Sequence, residues 1–180
     1  MAKVIDITWF KEKQAADRGF GSWRSEFGED FDAHTKLIHI SDQTLEVLVK
    51  SSIKAQALLY DLIMGVLGLG KGVKFFYLDS ESKMRVLDIS LFLLDQIRFE
   101  CMRRLGWLTG FAGEKYSLLE MAAHSARIRD DFSPSFPSAL PAIPSYEEYQ
   151  SLHPSEYEVF IRKRIPLAID TFLRCRGHGG

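Results

Sequence analysis

Apolar residues recur at helical spacing along most of this chain. From Ser41 to Leu67 the positions Leu45, Leu48, Ser52, Leu59, Leu62, Ile63 and Val66 share one face, which predicts a long helix with Ser41 or Asp42 as its N-cap. Glu46, Lys50, Lys54 and Asp61 form the polar stripe, so Asp61 is expected to face water. Gly65, Gly68, Gly70 and Gly72 then end the helix and open a loop. A second helix is predicted from Ser82 to Leu108 on Met84, Leu87, Leu91, Leu94, Cys101, Met102, Leu105 and Leu108, stopping near Gly106 or Gly110. Val86, Ile89, Phe92, Leu93, Ile97, Phe99 and Trp107 spread apolar groups around that cylinder, so it should be the most buried helix of the fold. A third, from Gly113 to Asp131, carries Tyr116, Leu119, Ala122, Ala123 and Ala126 on one face.

All six prolines fall in the last third, which leaves the first 133 residues free to form uninterrupted helices. Residues 132–144 read as an extended Pro/Ser connector covering surface. Tyr146 to Leu152 follows as a short helix. Pro154 fits the first turn of another, which Pro166 should kink or split. Lys36 to Ile40 and Val73 to Leu78 are rich in β-branched and aromatic residues and are available to pair as a ribbon. Phe20, Trp23, Phe27 and Phe31 also repeat at helical spacing, but Gly19, Gly21 and Gly28 weaken a helix there. Residues 1–35 therefore read as an N-terminal arm, docked on its own core or on a second subunit, and residues 36–180 as a single helical domain. The expected fold is mainly α, an irregular bundle of four or more helices with a small two-stranded β-ribbon as an added element.

Composition narrows the function classes. Apolar residues make up 46% of the chain and charged residues 26%, an ordinary globular balance that excludes a largely disordered chain. The 23 Lys and Arg against 24 Asp and Glu leave a net charge of -1, so nothing in the overall electrostatics favours nucleic acid as a partner. The basic run Arg162, Lys163 and Arg164 shares its region with Glu156, Glu158 and Asp170 and reads as a solvated helix face. The apolar stretch Ala55 to Leu69 is interrupted by Asp61 and is shorter than the roughly 18 to 20 residues a spanning helix needs, so no membrane partner is expected. Residues 1–17 carry Asp6, Glu12 and Asp17 and lack a secretory pattern, and Cys101 and Cys175 stand outside any CxxC motif, which points to the cytoplasm.

Most motifs dissolve on inspection. Gly65 to Lys71 matches GxxxxGK of a phosphate-binding loop. Gly72 replaces the Ser or Thr that would hold magnesium, however, and the next segment is strand-like rather than helical. Among the five histidines, Glu120 and His124 form an i, i+4 pair that no second helix repeats, so no metal and no cofactor is implied. Neither a nucleophile elbow nor a catalytic residue emerges, and Cys101 on an apolar helix face should be inert. PxxP spacing at Pro134–Pro137 and Pro141–Pro144 lacks a well-placed arginine and reads as linker.

One constellation remains. Asp88, Asp95 and Arg98 project near the apolar side of the second helix, and Asp88 calls for a partner from another helix, Arg127 or His124. Glu120, His124 and Arg127 align along the flank of the third. These six residues form either a ligand-binding pocket between helices or a set of structural ion pairs. The leading expectation is a non-catalytic cytoplasmic binding or regulatory protein that works through protein–protein contacts, self-associating as a homodimer, with its further protein partner unspecified. The alternative is a small-molecule or metal-binding helical-bundle enzyme that uses the inter-helix polar pocket.

Overall fold

Short polar side chains set the helix starts. In the computed structural model, which describes residues 6–132 and 136–177, Asp6 caps α1 (Ile7–Gly19) by accepting from the Thr8 and Trp9 amides. The second helix, α2 (Gly21–Phe27), follows directly. Ser41 caps α3 (Asp42–Val49), Ser52 caps α4 (Ile53–Leu67) and Asp79 caps α5 (Ser80–Arg104). The single helix expected from Ser41 to Leu67 is thus two. Lys50 leaves the helix in extended conformation, and the Ser52 hydroxyl accepts from the Ala55 amide at 3.1 Å, so a side-chain bond available only at a cap replaces a helical turn.

The third predicted helix also divides, into α6 (Ala112–Lys115) and α7 (Leu118–Phe132). Between them Ser117 and Glu120 cap reciprocally: the Glu120 carboxylate accepts from the Ser117 amide at 2.7 Å and the Ser117 hydroxyl from the Glu120 amide at 3.1 Å. The C-terminal region contains α8 (Tyr146–Ser151), α9 (Tyr157–Lys163) and α10 (Ile165–Gly177). Pro166 splits it as expected, sitting in the first turn of α10 where its missing N–H costs no bond. Pro134 and His178 lie outside the described residues.

The fold is mainly α with one two-stranded antiparallel ribbon, yet neither predicted β segment supplies it. The strands are β1 (Leu108–Thr109) and β2 (Ser138–Ala139), with Leu108 opposite Ala139 and Thr109 opposite Ser138. Leu37–His39 and Gly72–Tyr77 are 3-10 turns instead. Leu37 and Ile40 are both buried, an i, i+3 pair that a 3-10 turn stacks on one side. At the second segment the Gly72 amide donates to the Asp61 carboxylate at 2.8 Å, so Asp61 is spent on the loop rather than turned to water. That bond folds the segment back until Phe75 stacks on Tyr60, ring centroids 4.8 Å apart. β-propensity yields here to a tertiary contact.

The helix α5 runs through the middle, packed by α3, α4, α6, α7 and α10. Its two ends enter different apolar clusters. One joins Phe20, Trp23, Leu45, Leu62, Ile63 and Leu93, and the other joins Phe99, Met102, Leu108, Phe111, Ile161 and Ala168. The aromatic residues of the N-terminal segment dock on their own core: Phe20, Trp23 and Phe31 are buried in mutual stacked and edge contacts, and the Trp23 indole N–H donates to the Leu58 carbonyl at 2.8 Å. The crossing of α1 over α4 is close enough that a Cβ at Gly65 would lie 2.7 Å from Arg18 backbone. The connector at 136–144 also enters the core, through Ala139 and Ile143.

Candidate functional site

Two depressions flank α5. On one side, the break between α3 and α4 leaves an apolar groove of about 650 Å³, lined by Leu48, Ile53, Leu59, Tyr60, Met84, Leu87, Leu91 and Leu94 with a rim of Lys50, Ser51 and Ser52. Met84, Leu87, Leu91 and Leu94 follow one another at steps of three and four, so they form a single stripe along the helix. Ile53 is 88% exposed, Met84 65% and Leu91 64%, values far from those of core residues. In the neighbouring 3-10 turn, whose buried Phe75 stacks on the groove residue Tyr60, Val73, Phe76 and Tyr77 are 80–89% exposed. The periodicity of α5 therefore predicted the helix and the burial of Val86, Ile89, Phe92, Leu93, Ile97 and Phe99, but Met84, Leu87 and Leu91 along its first half are left uncovered.

Adjoining the groove, with Asp88 and Leu91 common to both linings, lies a cleft of about 460 Å³ between α5, α7 and α9. The Arg129 guanidinium reaches across from α7 to both Asp88 carboxylate oxygens at 2.9 Å and to the Asp88 carbonyl at 2.6 Å, lying over the Phe92 ring. From α9, Arg162 donates to Asp95 at 3.1 Å and to Glu158 at 3.0 Å and lies over Phe136. Burial works against the Arg162 charge, but the bonds to Asp95 and Glu158 outweigh it and hold its pKa above the usual value. The floor is Gln96, a buried amide whose Oε1 accepts from the Gly113 N–H at 2.9 Å.

The six residues singled out in the sequence do not converge. Asp88 and Asp95 line the cleft, and Arg98 stands beside it, 3.5 Å from Asp95. Glu120 is engaged in the cap of α7. His124 and Arg127 are exposed, His124 at a non-helical kink (φ -132°, ψ 32°), and neither lines the cleft. The interhelix partner of Asp88 is Arg129, two residues beyond Arg127, because the kink at His124 rotates the last turns of α7. Arg164 of the basic run turns inward, bonding the Pro144 and Phe160 carbonyls at 2.8 Å.

Sequence reasoning passed over Glu100, the one fully buried carboxylate among the described residues. It accepts from Arg103 at 2.8 Å through both oxygens and from Arg104 at 2.8 Å. Arg104 goes on to bond Asp42 and the Leu37 and Ile40 carbonyls, tying α5 to the start of α3. The signal was present as a Glu followed by Arg at i+3 and i+4. Cys101, beside it, is buried, and burial pushes its thiol up to about 12, so it is no nucleophile at neutral pH. Among the described residues no group of three His, Cys, Asp or Glu is placed to hold a metal ion, and no helix is long and apolar enough to cross a membrane. In comparisons with protein-family models, curated proteins and solved structures, the chain matches none.

Proposed function

We propose that this is a non-catalytic cytoplasmic binding or regulatory protein that acts through protein–protein contacts and self-associates as a homodimer through the α5 groove. The observation that carries this reading is the apolar groove with its exposed Ile53, Met84 and Leu91, since exposed apolar patches of this kind mark interaction sites on soluble proteins. A second copy is the occupant that the charge pattern favours. Glu81, Asp88 and Asp95 are balanced by Lys83, Arg85 and Arg98 along the same helix, so two copies meet without net repulsion, whereas a strongly charged partner would find no complementary field. Two free thiols, one buried and one exposed, suit a reducing compartment.

Sedimentation equilibrium of the full chain tests this. A dimer that Leu91→Lys converts to monomer, with the circular dichroism of the parent kept, is the expected result. A wild-type chain that stays monomeric up to about 100 μM, a concentration at which even weak specific dimers form, would overturn the reading. A dimer unaffected by Leu91→Lys would remove the groove as its interface.

A further inference from the structure

We propose that the cleft between α5, α7 and α9 binds a small organic cation, an ammonium group carried on an apolar, ring-sized body with a carbonyl oxygen nearby. The inference does not rest on self-association, whose groove adjoins the cleft at Asp88 and Leu91. Four carboxylates line the cleft, Asp88, Asp95, Asp130 and Glu158, against two guanidiniums, Arg129 and Arg162. Both guanidiniums are already spent, on Asp88 and on Asp95 and Glu158. Asp130 makes no ion pair or side-chain hydrogen bond among the described residues, so the free charge facing the cleft is negative. An anionic ligand would have to displace an existing pair, whereas a cation completes one.

A second, independent feature points into the same space. Gln96 is 6% exposed and its Oε1 is committed to the Gly113 amide. Its Nε2 group donates to no atom of the described residues. Gln96 lines the cleft. A ligand carbonyl in the cleft would give that donor an acceptor that the described residues do not supply. The walls favour the same chemistry. Arg129 and Arg162 already lie over the faces of Phe92 and Phe136, at 5.0 and 5.6 Å from the ring centroids, so cationic groups are accommodated against aromatic rings here. A volume of about 460 Å³ suits a ligand the size of an amino-acid amide.

Three probes separate the contributions when titrated into the isotope-labelled full chain by NMR: L-phenylalaninamide, the neutral N-acetyl-L-phenylalaninamide and the anionic N-acetyl-L-phenylalanine. The cationic amide should shift the Gln96 side-chain NH2 resonances and the backbone amides around Asp130, and should bind about tenfold more tightly than the neutral probe. The anion should leave those resonances in place. Asp130→Asn, a surface change remote from the core clusters, should weaken the cation by about tenfold and leave the neutral probe unaffected. Unmoved Gln96 resonances with the cation at millimolar concentration, equal affinity for cation and anion, or an Asp130→Asn chain that binds the cation as well as the parent would each overturn the proposal.

Discussion

Along the first half of α5, Met84, Leu87 and Leu91 stand in water, while in its second half the Glu100 carboxylate lies fully buried between two core clusters. Each half departs from the expected partition, in opposite directions. The buried charge is tolerated because its partners are local: Arg103 and Arg104 follow at i+3 and i+4, and Arg104 spends its remaining donors on two carbonyls and Asp42. The exposed stripe has no such local remedy, since an apolar side chain is covered only by another element. Residues 50–52, which separate α3 from α4, line the groove where the stripe stays open. Local chemistry thus decides where a charge is buried, and tertiary supply decides where an apolar face is.

Removing the buried charge should break this contrast most severely. Glu100→Ala leaves the largely buried Arg104 guanidinium and the half-buried Arg103 without their shared carboxylate and is expected to cost about 3 kcal/mol in urea denaturation. Asp88→Ala, which removes an exposed pair from the same helix, should cost no more than about 1 kcal/mol. Equal losses would mean that Glu100 is a surface-like ion pair and that the two halves of α5 do not differ in kind.

The next test compares two leucines two positions apart. Leu93 is fully buried and Leu91 is 64% exposed. Leu93→Ala should cost about 2 to 5 kcal/mol through lost contacts and a cavity. Leu91→Ala should leave the stability of the folded monomer within about 0.5 kcal/mol. Measuring both below the concentration at which the chain associates keeps monomer stability separate from dimer contacts. A large loss for Leu91→Ala under those conditions would show that the stripe is covered within the monomer.

The legible part of this fold was its periodicity. The long helix α5 and the class of architecture follow from spacing, because a helix face repeats whether or not its cover is known, and the break at Pro166 follows from its missing N–H. Helix ends at Ser52 and Ser117 were less legible, since a serine within an apolar repeat reads as a tolerated small residue until its hydroxyl is seen to cap. The ribbon was not legible in Leu108–Thr109 and Ser138–Ala139, two-residue strands paired across 28 intervening positions. Of the candidate site, Asp88 and Asp95 could be named because their own helix displays them. Arg129, Asp130, Gln96 and Arg162 reach the cleft through a kink in α7, a buried amide and the approach of α9, none of which spacing encodes.

A smaller effect sharpens the contrast on the buried side of α5. Burial pushes the Cys101 thiol from its ordinary 9.0 up to about 12, outweighing Arg104, which favours the thiolate, while Glu100 adds to the rise. The unfolded chain releases this proton above about pH 9 and the folded chain retains it, so between the two values the native state binds more protons. The stabilisation is complete below pH 9 and is lost as pH rises toward 12, with a slope of at most about 1.4 kcal/mol per pH unit. Urea midpoints should therefore fall more steeply above about pH 9 in the parent chain than in Cys101→Ala, where Lys and Tyr titrations remain but the thiol does not. Parallel pH profiles would show that the thiol titrates normally in the folded state. Alkylation gives a second readout at neutral pH: iodoacetamide should modify exposed Cys175 and spare Cys101 until the chain unfolds. Native-state labelling of both cysteines at similar rates would show that the environment of Glu100 opens to solvent, and the expected cost of Glu100→Ala would shrink accordingly.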